Sequence, residues 1–132
     1  MSAKYLLDTN AVVDLLRGSD SVRLKMKEVG IDRIAIADLT IYELYCGAYF
    51  SNNKEANQSM INQLIQNIAI TPSSYAYEEA AHQKHSLKKK GELIEDIDIL
   101  IGSTAIFEGR ILVTGNVNHM NRLEGIMLED WS

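Results

Sequence analysis

Lys4-Tyr5-Leu6-Leu7-Asp8-Thr9-Asn10 is the stretch on which the reading of the chain turns. Tyr5 to Leu7 form an apolar run too short for a helix, which predicts a buried strand. Asp8 follows at once, then Thr9 and Asn10, both residue types that cap helices, and then Ala11-Val12-Val13-Asp14-Leu15-Leu16 in helical rather than alternating pattern. A strand, an acid at its carboxyl end and an immediate helix place a carboxylate where open parallel sheets bind ligands. Asp8 has a plainer alternative, capping the first helix or tying down the turn. Its meaning therefore depends on whether other acids arrive at matching places.

Outward from that stretch the pattern repeats. A helix over 21–28 carries Val22, Met26 and Val29 on one face and stops at Gly30; a second buried strand is expected at 34–37, with Asp38 as the cap of the helix 39–50. That helix holds Glu43 among mostly apolar neighbours, where a carboxylate needs a cation or a proton unless it sits on the solvent edge. Gly47, one turn further on, leaves room beside it. Helix 55–67, with Met60, Ile61, Leu64 and Ile65 inward, pairs antiparallel with 39–50, and Tyr42, Tyr45, Tyr49 and Phe50 exceed what a small core uses, which points to a self-association or partner surface. A third strand is expected at 68–70, followed by a turn capped by Ser73 or Ser74 and a helix reaching Lys90. Lys84, Lys88, Lys89 and Lys90 make its end the densest basic group, read either as dipole-favoured solvation or as phosphate contacts. Asp96 is the expected cap of the next helix, with Asp98 in its first turn and Gly102 and Ser103 allowing close packing on the sheet. A fourth strand at 111–113 runs into Thr114-Gly115-Asn116, residues 118–123 form a polar loop or short helix, 126–128 an edge strand, and Trp131 folds back over apolar surface.

Strands of three or four apolar residues alternating with helices predict a three-layer α/β/α sandwich with a mainly parallel central sheet, a single domain over residues 1–132. Right-handed crossovers then bring the carboxyl ends of the strands to one rim. A chain of 132 residues with 46% hydrophobic content fits one such domain. One cysteine, Cys46, excludes an internal disulfide framework and a thiolate zinc cluster, and reads as a small core residue rather than a nucleophile. The apolar run at the start is broken by Asp8 and no stretch approaches a membrane span, so a cytoplasmic protein without membrane contact is expected. A net charge of -5 argues against coating nucleic acid through positive field, though not against a nuclease with local contacts.

Asp8, Glu43 and Asp98, from separate parts of the chain, can meet at the common rim. Uncompensated they repel, and a hard divalent cation resolves the repulsion. Oxygen donors without cysteine or clustered histidine select magnesium, or manganese in its place, over zinc. Such a centre suits phosphodiester hydrolysis. The chain has no GxxxxGK[ST], no GxSxG and no GxGxxG after its first strand, which removes P-loop, esterase and dinucleotide readings.

Five motifs in order, Leu7-Asp8-Thr9-Asn10, Leu39-Thr40-Ile41-Tyr42-Glu43-Leu44 with Gly47, Asp98-Ile99-Leu100-Ile101-Gly102-Ser103-Thr104-Ala105, Leu112-Val113-Thr114-Gly115-Asn116 and Glu129-Asp130-Trp131, give the chain an end-to-end resemblance to a family. It resembles a PIN-domain ribonuclease and, within that superfamily, the VapC toxins of type II toxin–antitoxin pairs. The resemblance implies Asp8, Glu43 and Asp98 as the acidic catalytic and metal-site residues, with Thr9, Thr114 and Asn116 in support and Asp96 and His119 as further candidates. It also implies a magnesium-dependent endoribonuclease that cuts RNA, transfer RNA among its targets, is restrained by a cognate antitoxin, and forms a homodimer through helices 39–50 and 55–67. Two positions depart from the pattern. His119-Met120 replaces an acid followed by Phe, and Asp38 stands where Ser or Thr is usual. The competing class is a module that binds without catalysis. A phosphoacceptor receiver fails because the third strand runs into Thr71-Pro72 rather than a phosphorylatable Asp; a catalytically inactive PIN-like scaffold remains as the alternative.

Overall fold

Strand β1 (Tyr5–Leu7) occupies the centre of a five-stranded sheet completed by β2 (Ile34–Ala37), β3 (Ala69–Thr71), β4 (Ile111–Val113) and β5 (Leu128–Glu129). The computed structural model describes residues 4–132. The strand order is β3-β2-β1-β4-β5 and every pairing is parallel, with Leu6 opposite Ala35 on one side and Leu112 on the other. Side chains alternate across the sheet with period two. Tyr5 and Leu7 therefore enter one core and Leu6 the other, and all three are buried because helices cover both faces. The expected three-layer α/β/α sandwich is the architecture found.

The first face carries α1 (Thr9–Leu16), α2 (Asp20–Val29), α3 (Asp38–Phe50) and α4 (Lys54–Asn67), packed on Leu7, Ile34, Ile36 and Val113. Trp131 does fold back there: it is 5% exposed, its ring lies 5.2 Å from that of Tyr5, and its Nε1 donates to Glu129. The second face carries α5 (Tyr77–Lys90), α6 (Asp96–Glu108) and the short α7 (Val117–Met120), packed on Leu6, Ala35, Ala37 and Leu112. The connections run outward from β1 to β3 over the first face and return to β4 over the second. The direction of winding thus reverses between β1 and β4, where such sheets open a crevice beyond their strand ends. Asp8 and Thr114 are the residues directly after those two strands.

Several local expectations shift by a residue or two, for traceable reasons. Asp38 and Asp96 are the first residues of α3 and α6 rather than their caps, because β2 stays paired through Ala37, and Glu95 precedes Asp96 in extended conformation. The Asp38 carboxylate accepts from the amides of Leu39 and Ser73, so it ties the start of α3 to the turn after β3. β3 begins at Ala69 instead of 68. β5 spans Leu128–Glu129 instead of 126–128, since the amide of Leu112 donates to Met127 O and that of Thr114 to Glu129 O. On α4, Ile61 is buried but Met60 is 39% exposed; on α3, Tyr45 is half-buried and donates to Asn62 at 2.5 Å, which takes it out of the exposed aromatic set. Tyr42, Tyr49 and Phe50 remain exposed, Phe50 at 91%. Among the described residues no helix is long and apolar enough to cross a membrane.

Candidate active site

The crevice beyond β1 and β4 is an open cleft of about 560 Å³ lined by Asp8, Thr9, Asn10, Glu43, Leu93, Ile94, Glu95, Asp98, Asn116, His119 and Arg122. Asp8 combines a helix cap with a place in the cleft wall. Its Oδ1 accepts from the amide of Ala11 at 2.9 Å and caps α1, while the carboxylate also forms part of the cleft wall. The Thr114 hydroxyl accepts from the amide of Asn116 at 2.9 Å and acts on the Asp8 carboxyl, while the Asp8 amide donates to Val113 O at 3.0 Å and links the ends of β1 and β4. Glu43 reaches the cleft from the second turn of α3, and its Oε1 accepts from the Thr9 hydroxyl at 2.5 Å. Thr9 Oγ1 also lies 3.2 Å from that of buried Thr40. Asp98 enters from the first turn of α6.

The electrostatics of this group are strained. Burial pushes the Asp8 carboxyl above its ordinary range; the bonds from Thr114 and Ala11 work against that rise, and the charges of Glu43 and Asp14 add to it. Burial is also the largest cause of the upward shift at Asp98, followed by Glu43, Glu95 and Asp8, with His119 acting the other way. Desolvation and like charge both favour the neutral acid, so a positive partner placed among these groups would be stabilised. Among the described residues no set of three His, Cys, Asp or Glu side chains closes on a common point as a ready-made ion cage.

The other sequence candidates distribute unevenly. Asn116 and His119 line the cleft, with Asn116 Nδ2 3.0 Å from His119 Nδ1. Asp96 lies outside the lining and pairs with Lys84 at 2.8 Å. Lys90 pairs with Glu124 at 3.2 Å, and none of Lys84, Lys88, Lys89 and Lys90 lines the cleft. Sequence reasoning missed Glu95, although it stands one helical turn before Asp98 and that spacing was available to read. Asn10, Leu93 and Ile94 were missed too, and Arg122 was not connected to the acids. Gly47 opens a second, mainly apolar groove between α1, α3 and α4 that begins at Glu43.

A family model, that of the PIN domain, matches residues 5–125. The chain belongs to the PIN-domain family. Within it the protein is a VapC-like toxin of the type II toxin–antitoxin kind. It is 32% identical over 131 residues to Ribonuclease VapC2 of Haemophilus influenzae, a match covering 97% of this chain and 98% of that one. It is 27% identical over 131 residues to the tRNA(fMet)-specific endonuclease VapC of Salmonella typhimurium, with the same coverage. Among solved structures it is similar to DNA-bound VapBC from Salmonella typhimurium, at a TM-score of 0.92 and 26% identity over 98% of this chain and 99% of that one. The kinship of this PIN domain with ribonucleases supports an enzymatic role.

Proposed function

We propose that this PIN domain is a magnesium-dependent endoribonuclease, manganese substituting, that hydrolyses RNA phosphodiester bonds as the toxin of a toxin–antitoxin pair. The observation that carries the reading is the gathering of Asp8, Glu43 and Asp98 around one polar cleft at the sheet's switch point. Their donor chemistry fits a hard cation: the atoms are carboxylate oxygens, and burial with mutual repulsion raises two of the acids. Magnesium keeps much of its shell as water and takes only a few carboxylates, so a loose convergent set suits it better than a closed cage. Asp8, Glu43 and Asp98 would hold the ion. When bound, it supplies positive charge against the developing phosphoryl charge and lowers the pKa of a water.

The chain's own residues supply orientation. Ala11 and Thr114 fix the Asp8 carboxylate and Thr9 fixes that of Glu43, so the acids meet a substrate without rearranging. Asn116 and His119 add polar contacts on the α7 side. RNA is the substrate class, and transfer RNA is the first target to test, given what the Salmonella relative is named for. The exposed Tyr42, Tyr49 and Phe50 on α3 supply a face for a second copy and an antitoxin. Lys88, Lys89 and Lys90 grip a distant arm of a folded RNA.

The test is cleavage of purified transfer RNA with magnesium, with EDTA, and by Asp8→Asn. Asparagine caps α1 as well as aspartate does, so the variant stays folded while losing the charge. Loss of cleavage in both EDTA and Asp8→Asn is expected; undiminished cutting in EDTA sinks the reading.

A further inference from the structure

Arg122 is a cation in a cleft that four carboxylates, Asp8, Glu43, Glu95 and Asp98, also line. Yet among the described residues it forms no ion pair. Its recorded polar contact is a 3.3 Å bond from Nη1 to the carbonyl of Glu92. Arg110 is drawn against Glu108, Lys84 against Asp96 and Lys90 against Glu124, while most other described lysines and arginines form no ion pair. What sets Arg122 apart is its place in the cleft beside the four carboxylates that line it. Arg122 has acids in its own cleft and still spends a donor on a neutral carbonyl, which leaves most of its guanidinium N–H groups unspent.

Its backbone is also held unusually firmly for a loop residue. The Arg122 amide donates to His119 O at the end of α7. The next residue, Leu123, is 2% exposed in the core below α6. The residue after that is clamped by Gln83, itself 1% exposed: Gln83 Nε2 donates to Glu124 O at 2.8 Å and Glu124 N donates to Gln83 Oε1 at 2.9 Å. Ser86, Lys90 and His82 surround the Glu124 carboxylate from the same helix. The backbone of Arg122 is thus anchored on both sides while the residue is half-buried at the cleft wall. A guanidinium carried on an anchored backbone presents paired N–H donors that match the two non-bridging oxygens of a phosphodiester.

We infer that Arg122 is a substrate-binding residue that receives a backbone phosphate of the RNA strand within the cleft, on the α7 side facing the acids. The inference rests on the nuclease reading above and adds to it the group that offsets the acidic wall. The guanidinium supplies there the positive charge that the paired lysines of α5 do not bring into the cleft. It recognises the phosphate rather than the base, so its contribution is the same for every sequence.

The experiment compares Asp8→Asn with Asp8→Asn/Arg122→Gln and Asp8→Asn/Arg122→Lys. It measures binding of a fluorescein-labelled, mixed-sequence single-stranded RNA against KCl at fixed magnesium. Glutamine retains a donor able to reach Glu92 O and removes the charge; thermal melts check that each variant is folded. Arg122→Gln is expected to bind about tenfold more weakly at low salt and to flatten the log–log salt dependence by about 0.7, the loss of one single-strand phosphate contact. Arg122→Lys keeps the slope. A role confined to fastening residue 92 would lower affinity without changing the slope, and that result overturns the inference. Failure of the Asp8→Asn parent to bind the probe overturns it as well. In either case cleavage of transfer RNA by the unmutated protein leaves the nuclease reading standing, and absence of both cleavage and binding removes the two together.

Discussion

Gly102→Ala is expected to destabilise the protein, against the usual gain from replacing a helical glycine. In the middle of α6 the substitution would ordinarily add about 1 kcal/mol of helix propensity. Here a Cβ at residue 102 would lie 2.3 Å from Leu123 Cδ1 and 3.0 Å from Met120 Cε. Both neighbours are 2% exposed and embedded in the second core, so neither can swing into solvent. Overpacking of this kind costs about 1–3 kcal/mol, and so close an approach belongs in the upper part of that range. The net loss is then about 1–2 kcal/mol, or roughly 4–8 °C in Tm for a domain of this size. The displaced segment carries Asn116, His119 and Arg122, so RNA cleavage falls as well, by up to about 100-fold if the wall moves by an ångström. Urea and thermal unfolding of Gly102→Ala, Leu123→Ala and the double variant provide the check. The double variant should lose less than the sum of the singles, by about 1–2 kcal/mol, because removing the leucine removes the clash. A higher Tm for Gly102→Ala, or strict additivity in the double variant, refutes the reasoning.

The raised acids give a pH signature in metal-free protein. The folded-state pKa of Asp98 lies above its ordinary 3.8. The native state therefore holds the proton more tightly than the unfolded chain, and stability declines as pH rises from 3.8 through the raised value. Asp98→Asn should remove that decline, so that in EDTA at neutral pH it unfolds at higher urea than the parent. With magnesium the order reverses. Identical pH profiles for the two proteins in EDTA would contradict the electrostatic account. Lys88, Lys89 and Lys90 changed together to Ala should weaken binding of folded transfer RNA by Asp8→Asn severalfold and leave a short single strand unaffected, as a titration of each probe will show. Phe50→Ser, at a side chain 91% exposed, should leave Tm within about 2 °C, since surface substitutions change stability by less than about 0.5 kcal/mol, and should lower self-association in analytical ultracentrifugation. An unchanged sedimentation profile from an associating parent counts against the α3 face.

What was legible in the sequence followed from local rules. Tyr5-Leu6-Leu7 and Ile34-Ala35-Ile36-Ala37 read as strands because an apolar run of that length has no other economical use, and the acid after the first run marked the rim. Asp38 and Asp96 look like caps by residue type, but a cap is assigned by where the preceding strand or loop stops pairing, which their identity does not encode. Gly102 shows the larger difficulty. Its smallness was readable, while the partner that requires it was not: Met120 ends α7 and Leu123 lies in the loop after it, some twenty residues on, rather than in the sheet. Arg122 was missed as a cleft residue for the same reason. Nothing within its own window ties it to Asp8 or Glu43, and only the packing of residues 120–124 under α6 and along α5 brings it to the cleft that they line.

That dependence also bears on the departure at His119. An acid at this place would have added charge to a cleft in which Asp8 and Asp98 are already pushed toward protonation. A histidine reduces the burden: it acts on Asp98 in the lowering direction and sits within 3.0 Å of Asn116. The α7 wall therefore offers a histidine, an amide and a guanidinium, while the β1, α3 and α6 sides offer carboxylates. A cation is favoured on one side of such a cleft and an anion on the other. A phosphodiester crossing between them would meet hydrogen-bond donors on one side and, on the other, acids whose oxygens suit a divalent cation.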